Sequence, residues 1–536
     1  MSDPVASPTV FSRKASGLIR VGSSFDVFIY NIGLVSVGIA IAYNQFYGPS
    51  LYPGAQPWLS TLLAGIGMLI VAVTFYCWSV VFPRSGGVYV FLSRTISPGV
   101  AFVLSLVETV ILLYYGALAA GLIVQVGLSS FFSTVGLISA NQSLVDLGAS
   151  IASPSGVFWI GTGIILLAGL ILASGTRRYF TVQRVLFIIA SAGLAFLVIV
   201  MLVGSRDGFT ANLERLTGLN YQAVIQTAAD NGYALTGTSF GASLAFMVWP
   251  LLPLLGAIQS IGIGGEVKKV RRSQLMGMVG AVAVASAVIM LFDFLSNRVF
   301  GYEFQGAIAY NWISGLTDGT TTTAPWFAVL AGILSASPLI SVIIMAVFTV
   351  WIWFWIPAEI SYTTRSMIAW SFDRIAPDRL GYVSERFHTP VVAIGLSTIG
   401  AIFFMWLIAF QGIMLLTLVE VLLVVWGLTM VCAVVFPKVR KQMYDASPVA
   451  SMKVLGIPVM PLAGVLSVLF FGFAVYLLWT DPIAAGPLWS PEHVPVEFWV
   501  VIGTLVFGTV WYLAAKAYRK SKGVDISLAF RQIPIE

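Results

Sequence analysis

Twelve apolar runs of membrane-crossing length constrain this chain more tightly than anything else in it. They cover residues 28–46, 58–82, 100–128, 157–173, 185–203, 243–263, 276–295, 326–356, 391–410, 413–436, 458–479 and 498–515. A bilayer core of about 30 Å takes roughly 20 helical residues at about 1.5 Å each. Lipid offers no partner to a backbone N–H or C=O, so runs of this length are expected as helices. A barrel would show alternating segments of about ten residues. Charged residues make up only 9% of the 536, where a soluble domain carries about 25%. The expected class is all-α and polytopic, which excludes soluble, disordered and disulfide-stapled chains. Cys77 and Cys432 both lie in apolar runs, giving neither a disulfide framework nor a metal cluster. Residues 1–24 lack the apolar stretch and cleavage site of a secretory signal, so the first run reads as a retained span.

Charge tests the count. With the N-terminus placed in the cytoplasm, all of the 28 Lys and Arg fall in cytoplasmic segments except Arg206, Arg215 and Arg298. One helix too many or too few would scramble that bias. The net charge of +6 is therefore topological, and no nucleic-acid partner is called for. The expectation is a multi-pass protein of the cell (plasma) membrane with both termini cytoplasmic, and no oligomeric state is assigned. The longer external loops are 129–156, 204–242 and 296–325, the second with an amphipathic piece at 221–229.

Two runs are interrupted. Span one holds Gly33 and Gly38, and span six holds Pro250, Pro253 and Gly256 followed by Gln259 and Ser260. Proline removes a backbone donor and paired glycines tolerate an unwound backbone. At membrane depth such breaks survive only buried or lining a cavity. Residues 1–436 then read as a ten-helix transport core of two halves, about 25–204 and 241–436. Five spans per half make the second run inverted, and breaks at matching places in inverted halves point to a transporter's central site. Residues 437–536 are left as two peripheral helices and a cytoplasmic tail. The alternative is close packing by the glycines and a plain proline kink.

Between spans two and three the chain reads Phe82-Pro83-Arg84-Ser85-Gly86-Gly87-Val88-Tyr89-Val90-Phe91-Leu92-Ser93-Arg94, and after span six Gly265-Glu266-Val267-Lys268-Lys269-Val270-Arg271-Arg272. A third stretch runs from Thr364-Arg365-Ser366 through Asp373-Arg374-Ile375-Ala376-Pro377 to His388-Thr389-Pro390-Val391. These resemble the cytoplasmic loops of amino acid–polyamine–organocation (APC) superfamily permeases. Val270 stands where that family often has proline, and Asp373-Arg374 reverses its usual order. The resemblance implies a five-plus-five inverted-repeat core. In relatives the substrate carboxylate sits on backbone N–H groups where span one unwinds, and its amine on carbonyls of spans one and six. Carried over, the substrate contacts are Ile32, Gly33, Ser36, Val37 and Gly38 with Gly256, Ala257, Ile258 and Gln259. The physics agrees, since half-helix N-termini attract anions and freed carbonyls suit cations. Phe246 and Trp249 are the candidate outer gate. Sodium-coupled relatives use span-eight hydroxyls, here Ser337, Ser341 and Thr349. The alternative is that these bond back to their own helix. The span-five lysine of some proton-coupled relatives has no counterpart in run 185–203.

Buried acids are the other coupling candidates. Glu108 and Glu420 lie inside apolar runs and could carry a proton or be neutral structural acids. Glu359 and Asp293 read as interfacial, and Glu266 as paired with the basic loop around it. Trp351, Trp353 and Trp355 read as an interfacial belt, with a substrate cage as the alternative. Gly237-Thr238-Ser239-Phe240-Gly241 fits a nucleophile elbow, with Asp481 and His493 after it in order, but no strand pattern precedes Ser239. Asn141 opens a glycosylation sequon, meaningful only in a secretory host.

The reading is a non-enzymatic secondary transporter moving an amino acid by alternating access. It has no metal and no cofactor, and H⁺ or Na⁺ as the coupling ion. A polyamine or other organic cation is the alternative substrate, with Glu108 then expected to matter more. A non-transporting membrane scaffold or sensor is the alternative role.

Overall fold

The computed structural model describes residues 17–234, 237–316, 323–412, 418–481, 483 and 495–526. Among them, 12 helices are long and apolar enough to cross a membrane. Spans one to six are Ser24–Leu51, Pro57–Val81, Pro98–Ile138, Pro154–Ala173, Thr176–Val203 and Phe240–Gly262. Spans seven to twelve are Val270–Val299, Pro338–Phe372, Val391–Gln411, Leu418–Val439, Val459–Thr480 and Val496–Ser521. The count and the all-α class agree with the apolar runs. Described sheet is confined to the paired Lys453–Val454 and Ile457–Pro458. We call the face where span one begins the near face, and its counterpart the far face.

Span one is almost wholly enclosed, whereas span twelve packs along span three and is exposed over most of its length. Span eleven lies against spans ten and two. Outward positions such as Trp159, Leu170 and Val203 are exposed and apolar, as contact with lipid hydrocarbon requires.

Span eight departs from its predicted limits of 326–356. Phe327–Ser335 is a separate short helix, ended by Ala336 in the left-handed region (φ 48°), and span eight begins at Pro338. Pro338 has no N–H and clashes backwards, so it starts a helix readily and continues one poorly. Span eight therefore runs on to Phe372 with a break at Phe354, next to Pro357. That shift carries Glu359 and Arg365, expected at or beyond the membrane edge, into the bundle. Span five starts early, at Thr176, so Arg184 lies on it and donates to Asp26 of span one at 2.6 Å. The predicted 221–229 piece is the helix Tyr221–Asp230.

Span one breaks at Ser36, which is left-handed (φ 49°, ψ 64°) between helices Ser24–Val35 and Val37–Leu51. The Ser36 amide turns back to the Gly33 carbonyl, and its hydroxyl donates to the Trp351 carbonyl at 3.1 Å. The flanking glycines do a different job. A Cβ on Gly33 would stand 2.8 Å from Phe354 Cβ, and one on Gly38 3.1 Å from Trp351 Cβ. Both glycines let span eight lie against span one, and the non-glycine residue between them makes the turn. Span six changes in another way. Past Pro253 it tightens into a 3₁₀ helix, Leu255–Gly262. Asn31 ties the two spans, donating to Ser260 Oγ and accepting from the Ser260 amide, each at 2.9 Å.

Candidate functional site

A cavity of about 70 Å³, room for several water molecules, lies where the span-one break, the 3₁₀ part of span six and the middle of span eight meet. Spans three and ten close it with Tyr115, Leu118, Val419 and Leu422. Most of the wall is apolar. Among the described residues no Lys, Arg or His is part of it, and Glu359 is its one carboxylate.

Glu359 accepts from Trp355 Nε1 at 2.9 Å and Gln259 Nε2 at 3.2 Å, both on Oε1. Its other oxygen, Oε2, and the amide oxygen of Gln259 are buried without a hydrogen-bond partner among the described residues. Glu359 is therefore not interfacial. It lies well short of the helix end at Phe372 and is 1% exposed. Nor are the three tryptophans a belt. Trp351 is buried against Gly38, Trp353 donates to Gln183, and Trp355 turns its indole N–H to Glu359.

Of the residues carried over from the resemblance, Gly256 and Gln259 line the cavity. Ala257 and Ile258 are buried beside them in the same 3₁₀ turn without lining it. On span one the lining residues are Leu34, Val35, Ile39 and Tyr43, so Ile32, Gly33, Ser36, Val37 and Gly38 form the break behind the wall. The first amides of the helix that starts at Val37 have no acceptor within that helix. Gly256 is the crossing point, facing Leu34.

Both faces above and below the cavity are closed. On the far side Trp249 stacks on Tyr47 (4.5 Å between centroids) and donates to the Tyr52 hydroxyl at 3.0 Å, which donates to Asp481 at 2.6 Å. Burial, then the bond to Asp481, hold the Tyr52 pKa above its ordinary value. Phe246 packs on Tyr52 and against Gly48. On the near side Glu266 accepts both Arg365 Nε (2.7 Å) and Nη2 (3.0 Å), as well as Thr176 Oγ1 at 2.8 Å. Its partner is thus the span-eight arginine and not the basic loop. The Glu266 carbonyl also takes the amides of Val21 and Gly22. Nearby, Arg94 makes a two-bond pair with Asp373 (2.7 and 3.0 Å), which Tyr89 joins at 2.8 Å. Burial works against the charge on Arg94, but Asp373 outweighs it and leaves the pKa raised.

The coupling candidates stay apart. Glu108 is fully buried and accepts from Tyr362 and Trp426 on Oε1, outside the cavity wall. Glu420 is buried near the start of span ten. Thr349 bonds back to the Met345 carbonyl in its own helix. Ser341 meets Gly332 and Ser335 of the preceding short helix, and Ser337 is the N-cap residue of span eight without a side-chain capping bond. None of these three hydroxyls bonds to span one. Asp293, read as interfacial, is buried and takes Gln45 at 2.6 Å with Asn44 and Thr61 at 3.4 Å.

Ser239 caps the helix at Phe240, accepting from Ala242, and is preceded by loop. Asp481 is engaged by Tyr52. His493 lies outside the described residues. Asn141 caps the helix Gln142–Ile151.

The sequence analysis set Glu359 at the membrane edge, Trp355 in a belt and Arg365 in a loop motif, whereas Glu359 and Trp355 line the cavity and Arg365 pairs with Glu266. The signal that could have found them is Ser337-Pro338, an N-cap followed by proline at the first helical position, which places the start of span eight twelve residues late. Residues 23–508 match the family model described as amino acid permease, and no curated protein matches the chain in sequence.

Proposed function

The chain belongs to the amino acid permease family of the APC superfamily, and from that premise we propose that it is a secondary transporter moving an amino acid or related amine by alternating access. The observation that carries this reading is the closed cavity between the span-one break at Ser36 and the 3₁₀ segment of span six. The helix-start amides behind the wall suit an anion beside the break, and the unbonded oxygens of Glu359 and Gln259 in the wall suit a cation. Interruptions at the first span of each predicted half support the inverted five-plus-five plan, with spans eleven and twelve outside it. The basic bias of the near face supports placing it, and both termini, in the cytoplasm of a cell-membrane protein.

Closure at both faces fits an occluded stage of the cycle. Opening the near face requires parting Arg365 from Glu266, and opening the far face requires parting Trp249 from Tyr47. The three span-eight hydroxyls do not gather around span one, which favours H⁺ over Na⁺ as the coupling ion. A second reading, an organic amine lacking a carboxylate, is favoured by Glu359 in a wall without a described Lys, Arg or His.

The test is uptake of labelled amino acids and amines into proteoliposomes, with and without proton and sodium gradients and with substrate preloaded for exchange. Saturable uptake that Gly256→Trp abolishes is the expected result. Absence of flux in every arm from a folded, inserted protein would sink the transporter reading.

A further inference from the structure

Among the described residues Glu359 is the only carboxylic acid in the cavity wall, and one of its oxygens has no partner. Two donors, Trp355 and Gln259, both reach Oε1. That leaves Oε2 and the Gln259 amide oxygen as buried acceptors lacking donors. Leaving a buried acceptor unsatisfied costs on the order of 1–3 kcal/mol, and more for a charged group. No described Lys, Arg or His lines the space to relieve it. Glu108 is a different case, because its engaged oxygen binds Tyr362 and Trp426 away from the cavity. The ring of Trp355 lies 6.2 Å from that of Tyr115, and both are part of the wall along with Tyr43. Aromatic faces around a carboxylate favour an ammonium over any neutral group.

The remaining wall decides the rest of the ligand. Leu34, Val35, Ile39, Leu118, Leu252 and Leu255 offer no second charge. A dication would have to press its other ammonium against this surface, at the desolvation cost of an unpaired charge. We infer that Glu359, assisted by the Gln259 amide oxygen, is the ammonium receptor of the cavity, and that its ligand is a compact monocationic amine group on an apolar body. This takes from the proposed function only that the cavity is the substrate site. The ammonium is common to a zwitterionic apolar amino acid and to the amine left by removing its carboxylate, and only the amine is a net monocation.

The experiment is equilibrium calorimetry on the full chain in nanodiscs at neutral pH. The probes are alanine with ethylamine, valine with isobutylamine, and phenylalanine with phenethylamine, plus putrescine as dication and isovalerate as an amine-free anion. At least one of the three pairs binds, putrescine and isovalerate bind more weakly than that pair, and Glu359→Gln weakens the binding. Loss of one charge-assisted bond corresponds to about 10- to 100-fold. Glu359→Asp, which keeps the charge, recovers part of the affinity. Size-exclusion profiles matching the parent show that both variants fold. Equal affinity for an amino acid and its amine identifies recognition by the ammonium alone. A tighter amino acid adds a carboxylate contact at the span-one amides. Unchanged affinity in Glu359→Gln overturns the inference, as does tighter binding of putrescine or isovalerate, or binding of no probe by the folded protein. Binding without uptake would instead overturn the transporter reading and leave this one standing.

Discussion

Gly256 of span six lies so close to Leu34 of span one that a Cβ on it would stand 2.5 Å from the Leu34 carbonyl carbon and 2.6 Å from its oxygen. The atoms in the way are backbone, held in the last turn before the Ser36 break, and cannot swing aside as a side chain tip would. The two interrupted spans therefore cross at a glycine, and the cavity opens beside the crossing.

Gly256→Ala is expected to force spans one and six apart, at a cost of about 1–3 kcal/mol for overpacking. Thermal unfolding in detergent should show a lower midpoint, and uptake should fall with it. Gly163→Ala, at a position where an added methyl group would meet nothing within 4 Å, is the control that should leave both unchanged.

Ser36 holds a left-handed conformation that L-residues adopt at about 1–2 kcal/mol. Ser36→Gly should relieve this and cost only the bond to the Trp351 carbonyl, leaving uptake near that of the parent. Ser36→Val places a β-branched side chain at the same φ and should lose both stability and uptake. The comparison of the two variants in one melting series checks it.

Arg365 and Glu266 are each at most 2% exposed. Replacing only Arg365 by Met leaves a buried carboxylate, and breaking such a pair costs about 3–5 kcal/mol. The double replacement of Arg365 and Glu266 by Met should be milder than either single one. Cysteines placed on the near face should become more reactive to a membrane-impermeant thiol reagent in the single variants, because the pair joins span eight to the segment after span six.

Tyr52→Phe removes the hydroxyl that links Trp249 to Asp481, a change of about 1 kcal/mol per bond. The far side should open more often, read as faster labelling of a cysteine substituted for Trp326, whose ring lies 6.3 Å from that of Tyr47, with substrate affinity unaltered.

Thr349→Val should leave uptake, and its response to a sodium gradient, unchanged, since the hydroxyl bonds to Met345 within its own turn. Loss of a sodium response in this variant would show that the hydroxyl serves an ion.

Much of this was legible in the residue order. The apolar runs located eleven of the twelve spans to within a few residues at one end or both, and Gly256 and Gln259, expected as substrate contacts, line the cavity. Span eight was misplaced because run length alone merged the helix Phe327–Ser335 with the span that starts at Pro338, although Ala336 and Ser337 interrupt them. That single shift set Glu359 and Arg365 at or beyond the membrane edge. The glycines of span one were read as the unwound residues, whereas they pack against Phe354 and Trp351 and the turn falls on Ser36. Nothing local to Ser36 marks it, since serine rarely adopts the left-handed region.

The sequence by itself determined twelve apolar runs of membrane-crossing length, with all but three of the Lys and Arg falling on one side of them in an alternating assignment. Lipid cannot satisfy a backbone, so each span must satisfy its own within a run whose length and polarity are written locally. Only the tertiary structure decided which buried acid faces the cavity, which faces Arg365 and which faces Tyr362. Those choices depend on the relative rotation and depth of helices far apart in the chain, set by side-chain packing between them, which hydrophobic length does not encode.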